Sequence, residues 1–220
     1  MHYIGQWFLL DKEFVERFAR EGVTTESLAR LFKAYGVIRN FPGNSSQRLE
    51  RLVAPLNLYR GRTLDRAEAP GVVEGVVKLM RQLFRREGGF TSAASKVCWM
   101  LMRHPIAIYD KRARIGLQRT GMLKRKRGNE CADYFQAWQE YSRSVSGLLS
   151  ETLAWLPRVG LENGLASEFP PGVGTVSQLV GQPWFADRIV DMRLFMKGGN
   201  NGDELEMAWM SSLLLAAKLE

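Results

Sequence analysis

Histidine and cysteine are almost missing from this chain: His2, His104, Cys98 and Cys131 are the only ones in 220 residues. Their positions fit no zinc-ligand spacing, and two cysteines cannot supply the thiolates of an iron–sulfur cluster. A protein with no metal and no cofactor is therefore the expectation. Long apolar runs are also absent: none approaches the roughly 20 residues a membrane span needs. The segment Met1 to Leu10 is aromatic and apolar, but it has no basic leader and no small-residue cleavage site. The mixed stretch Asp11-Lys12-Glu13-Phe14 follows at once. Neither a signal peptide nor a membrane partner is expected, and the expected location is cytoplasmic.

Strand signals are scarce as well. Only Ile106-Ala107-Ile108-Tyr109 is short, apolar and β-branched, and it is too isolated to found a sheet. No repeat of fixed period and no low-complexity tract occurs.

What is present is helical periodicity from end to end. Trp7 to Leu10 with Phe14, Val15 and Phe18 forms one apolar stripe closed by Gly22. Thr24-Thr25-Glu26-Ser27 opens a second helix, with Leu28, Leu31, Phe32 and Tyr35 on one face, running out near Pro42-Gly43-Asn44. Ser45-Ser46 caps a short helix carrying Leu49, Leu52 and Val53. Pro70 stands at the first position of the next, which carries Val73, Val76, Val77, Met80, Leu83 and Phe84 and stops at Gly88-Gly89. Then come Thr91 to Arg103, a break at Pro105, and a helix starting at Asp110. Asn129 to Leu156 reads as one long helix, Pro183 to Lys197 as another, and Asp203 to Leu219 as the last. Eight to ten helices on short loops predict an all-α, compact multi-helix globule: one domain over 1–220, divisible into lobes 1–87 and 88–220.

The formal net charge is +8, and its placement matters more than its size. Lys111, Arg112, Arg114, Arg119, Lys124, Arg125, Lys126 and Arg127 fall in one stretch without an acid, so the remainder of the chain is neutral. Charge localised in this way fits a polyanion, and nucleic acid is the partner it suggests. A solvated basic loop is the plainer alternative.

Just before that stretch lie the two residues with chemical potential. Lys96 enters an apolar helical segment, Val97-Cys98-Trp99-Met100-Leu101-Met102. Desolvation there would favour the neutral amine that a nucleophilic lysine needs; a lysine that snorkels to water is the alternative. Asp110 follows an extended tetrapeptide and precedes a basic helix, an N-cap position that by itself needs no catalytic explanation.

The order of these features, S-K, apolar helix, P-x-x-x-Y-D, basic helix, resembles the helix–hairpin–helix DNA glycosylase superfamily, in particular its 8-oxoguanine DNA glycosylase-like members. The resemblance implies a nucleophilic role for Lys96, a catalytic role for Asp110, and duplex DNA containing a modified base as partner of a monomeric enzyme. It implies base excision, with AP-lyase activity through a Schiff base as an option. Ser95 and the basic residues from Lys111 to Arg127 become the DNA-binding set. Arg188 to Phe195, followed by Gly198, resembles an R-x-x-D-x-x-L-[WF] helix of related proteins. The chain departs from the family's G-[VI]-G-x-K hairpin, having Ser92-Ala93-Ala94-Ser95-Lys96 with Gly88-Gly89 upstream, and its Lys96-to-Asp110 spacing is short. These departures mark a divergent branch.

Such an enzyme must flip the base out of the duplex. The aromatics Trp99, Tyr109, Tyr134, Trp138, Trp184 and Phe185 are the candidates for stacking on it, although aromatics at helical spacing usually build cores. An oxidised purine, met in DNA repair, is one substrate; a hypermodified base of phage DNA, met in antiviral defence, is another. A non-catalytic helical DNA- or RNA-binding module, and an enzyme acting on free modified nucleotides, are the competing readings.

Overall fold

The computed structural model describes residues 10–38, 41, 46–124, 130–162 and 176–199. The expected features at Trp7 to Leu9, Pro42 to Ser45, Arg125 to Arg127 and Asp203 to Leu219 lie outside them. Ten helices and no strand occur among the described residues. The chain divides into two compact units, Met1–Tyr109 and Asp110–Glu220. The division falls after Tyr109 and not after residue 87, because the helix beginning at Thr91 packs with the helices that precede it.

In the first unit, α1 (Lys12–Glu21) buries Phe14, Val15 and Phe18 and ends at Gly22, whose φ of 79° suits glycine. Thr24 opens α2 (Thr25–Ala34) with a capping box. Its Oγ1 accepts from the Ser27 N–H at 3.1 Å, while Ser27 Oγ accepts from the Thr24 N–H at 2.8 Å. The helix stops at Tyr35, short of Pro42. Asn57, the last residue of α3 (Ser46–Asn57), accepts from the Val23 N–H and donates to the Val23 carbonyl, tying the turn between α1 and α2 in place. The α3 core residues are Leu49, Leu52 and Leu56, with Val53 off the buried face.

Pro70 lies in the first turn of α4 (Ala69–Phe84), which buries Val73, Val76, Val77, Met80 and Phe84. It ends before the glycines, on Arg85 in the left-handed conformation (φ 51°). Phe41 stacks on Phe32 at 4.5 Å and meets Phe84 and Phe90 at 4.8 and 5.4 Å, an aromatic cluster.

These elements surround α5 (Thr91–Met102), which packs on α1, α2 and α4. From Thr91 to Leu101 every residue except Ser92 is buried. A helix apolar on nearly all sides belongs in an interior, and Lys96 is carried in with it. The buried Ile106-Ala107-Ile108-Tyr109 segment follows outside any helix or strand and leads into the extended Asp110.

The second unit contains α6 (Lys111–Arg119), α7 (Glu130–Ser144), α8 (Ser146–Glu162), α9 (Val176–Val180) and α10 (Pro183–Lys197). The expected single helix from Asn129 to Leu156 is interrupted at Val145. The Tyr141 carbonyl there accepts from both the Val145 N–H at 3.1 Å and Ser144 Oγ at 2.7 Å, and the Leu149 N–H donates to the Val145 carbonyl at 2.9 Å. Helices α6 and α10 approach closely at two glycines, Gly116 within α6 and Gly198 directly after α10. No helix among the described residues is long and apolar enough to cross a membrane.

Candidate functional site

Lys96 sits mid-way along α5 and is 4% exposed. Its Nζ donates to Ser92 Oγ, one turn earlier, at 2.6 Å, and lies 3.5 Å from the Tyr109 carbonyl oxygen. The Tyr35 ring, at the end of α2, has its centroid 5.7 Å from Nζ, within range of a cation–π contact. The Tyr35 hydroxyl in turn donates to Asp11, a fully buried carboxylate just before α1. The lysine therefore does not snorkel to water. Three segments of the first unit, in addition to α5 itself, converge on its surroundings.

Ser95, expected at the DNA, is turned inward. It is fully buried, its Oγ donates to the Ser92 carbonyl at 3.2 Å, and it accepts from the Tyr109 N–H at 2.9 Å. That pair fastens the extended segment onto α5. With both roles of its hydroxyl filled inside the unit, Ser95 is a fixture of the lysine's frame and offers no phosphate contact.

Asp110 is the N-cap of α6, as the sequence indicates. Its backbone is extended (φ −134°, ψ 147°) and its Oδ1 accepts from the Arg112 N–H at 2.8 Å. The half-buried Asp110 is joined by a peptide bond to Tyr109, the residue whose carbonyl lies near Lys96 Nζ.

The basic set does not behave as one surface. Arg119 donates to the carbonyls of Lys197 and Gly199, both at 2.6 Å, and so caps the C-terminal end of α10. Arg114 pairs with Glu130 at 2.9 Å, and the Arg112 guanidinium lies over the Phe195 ring at 5.0 Å. Lys111 and Lys124 are exposed. Arg125, Lys126 and Arg127 lie outside the described residues. In the other unit, half-buried Arg103 follows α5 at a positive φ of 60°, and burial holds its guanidinium below its ordinary value.

The six aromatics proposed for stacking on a base are all buried. Trp99 and Tyr109 belong to the first unit, and Tyr134, Trp138, Trp184 and Phe185 to the second. Trp138 has a clear internal function: its Nε1 donates to Asp191 Oδ1 at 2.7 Å, and Arg188 donates to Asp191 Oδ2 at 3.1 Å. The R-x-x-D spacing of α10 thus builds a buried ion pair that Trp138 completes.

Ser92 and Tyr35, which meet the Lys96 amine, and Asp11, which meets Tyr35, escape a reading of the sequence. Ser92 had a signal, its i, i+4 spacing from Lys96, which puts both on one helix face. Asp11 and Tyr35 had none, since only the packing of α1 and α2 brings them there.

Compared with protein-family models, curated proteins and solved structures, the chain matches none.

Proposed function

We propose that this chain is a DNA glycosylase, with an associated AP-lyase step, that extrudes and excises a modified base, and that Lys96 is its nucleophile. The observation that carries the reading is the Lys96 amine: buried in a largely apolar helix, hydrogen-bonded to Ser92 Oγ, and followed in the chain by a carboxylate at the head of a basic helix. The form able to attack carbon is the neutral amine; desolvation acts in its favour, while the cation–π contact with Tyr35 acts for the ammonium.

In the proposed reaction the Nζ lone pair forms a bond to the deoxyribose C1′, and the C1′–N glycosidic bond breaks. The base departs with that electron pair and takes up a proton. Opening of the sugar ring then yields an imine on Lys96, from which β-elimination cleaves the strand. The proton lost by the amine passes to a carboxylate base, the role that the family resemblance gives Asp110. Exposed cations, Lys111 and Lys124 among them, bind phosphate.

A second reading draws on one observation. Asp110 already has a complete structural role as the cap of α6. In a helical nucleic-acid-binding module without chemistry, that role would be its only one.

The two readings part in a base-release assay on duplexes carrying an oxidised purine, a hypermodified base or an abasic site. Release or strand cleavage by the wild-type chain, lost in Lys96→Ala, is expected. Binding to every duplex with neither base release nor cleavage would sink the enzyme and leave the module.

A further inference from the structure

Helical side chains lean toward the N-terminus of their helix. Lys96 follows this rule, so its amine ends beside Ser92, in the first turn of α5. Ser92 is also the one residue between Thr91 and Leu101 that is not buried. The amine of a buried lysine is thereby brought beside the one half-buried residue of that stretch. Another side of the amine is formed by the Tyr35 ring, which buried Asp11 holds by the phenol. The Tyr109 carbonyl lies near a third, on an extended segment that Ser95 pins to the helix.

We propose that Ser92 is a positioning residue of the Lys96 amine, selecting the rotamer in which Nζ stands beside this half-buried hydroxyl, ready for an incoming electrophilic carbon. This rests on the reading of Lys96 as a nucleophile. A lysine stem has four rotatable carbons, and the surroundings of Lys96 along α5 are apolar. A short hydrogen bond one turn away restricts that freedom. Attack on carbon needs the nitrogen in a narrow range of distance and direction, so a misdirected amine loses rate even where the substrate still binds.

The test uses the full chain and two substitutions. Ser92→Ala removes the hydroxyl and keeps a good helix former at an incompletely buried position; Ser92→Thr restores a hydroxyl. Circular dichroism and thermal unfolding check that both variants fold. On an abasic-site duplex with borohydride, the rate of covalent trapping at saturating DNA falls about tenfold to a hundredfold in Ser92→Ala. It recovers for the most part in Ser92→Thr, while the DNA concentration for half-maximal trapping stays the same. A merely structural serine would instead move stability and half-saturation together. Wild-type trapping by Ser92→Ala, or no recovery in folded Ser92→Thr, overturns the proposal.

If the wild-type chain itself traps no abasic DNA, the lyase reading fails separately. Ser92 is then judged by reductive methylation of the DNA-free protein with formaldehyde and cyanoborohydride, read lysine by lysine by peptide mass spectrometry. A Lys96 rate that changes several-fold in Ser92→Ala, relative to the other lysines, and returns in Ser92→Thr supports the positioning role. An unchanged rate refutes it.

Discussion

Gly198 lies against the backbone of Arg112 so closely that a Cβ added to it would fall 1.7 Å from the Arg112 carbonyl oxygen. Gly116 stands in the same relation to Leu194, with a hypothetical Cβ 2.3 Å from that carbonyl oxygen. The obstacles are backbone atoms, so no rotamer change relieves them. Gly116→Ala and Gly198→Ala are each expected to lose at least about 2 kcal/mol of stability in chemical denaturation. Gly75→Ala, exposed within α4 with only the Tyr59 hydroxyl near at 3.9 Å, is expected to gain up to about 1 kcal/mol through helix propensity. Equal stability of the three variants would contradict the close packing of α6 on α10.

Asp191 accepts from both Trp138 and Arg188, and both members of the ion pair are buried. Removing one partner of such a pair strands the other charge. Asp191→Ala is therefore expected to cost about 3–5 kcal/mol. Trp138→Phe, which deletes only the indole donor and part of the ring, is expected to cost less. Unfolding monitored by circular dichroism checks the order, and a cost for Asp191→Ala below that of Trp138→Phe would overturn it.

Asp110 carries a structural role and a proposed chemical one, and two substitutions separate them. Asparagine also caps helices, so Asp110→Asn is expected to stay near wild-type stability, whereas Asp110→Ala loses about 1 kcal/mol. Base release should fall steeply in both, since neither retains a carboxylate. Base release that tracks stability, intact in Asp110→Asn and reduced only in Asp110→Ala, would assign Asp110 to capping alone.

The charges of the Lys111 to Arg127 stretch are expected to divide into two classes. Replacing exposed Lys111 and Lys124 with glutamine should lower the slope of log affinity for duplex DNA against log salt by about 0.9 for each phosphate no longer neutralised, with stability unchanged. Arg119→Met removes the donor to the carbonyls of Lys197 and Gly199, and is expected to cost on the order of 1 kcal/mol of stability. A binding titration over several salt concentrations, paired with denaturation, reads both. A salt slope unmoved by the lysine pair would take those two residues off the DNA.

These contrasts mark what the sequence could and could not convey. The apolar setting of Lys96 was legible in the run Val97 to Met102, and the Asp110 cap because apolar tetrapeptide, Asp and basic helix succeed one another. The inward turn of Ser95 was not, since Ser92, Ser95 and Lys96 share the one polar edge of α5, the edge expected to meet solvent. Arg114 and Arg119 read as part of a uniform cationic run because their acceptors, Glu130 and the end of α10, are 16 and as many as 80 residues away. Asp11 and Tyr35 are separated by 24 residues and meet only through tertiary packing, which also sets the Tyr35 ring by Lys96. Local pattern locates the helix that holds the amine; long-range packing decides what surrounds it.

The central claim is that the Lys96 amine attacks a sugar carbon of DNA. Borohydride trapping of the full chain on an abasic-site duplex, followed by proteolysis and peptide mapping of the adduct, tests it most directly. The account predicts one nucleotide-bearing peptide, modified at Lys96, and no adduct in Lys96→Ala. An adduct mapped to another lysine, or to the N-terminal amine, with Lys96→Ala trapping as well as wild type, would contradict it.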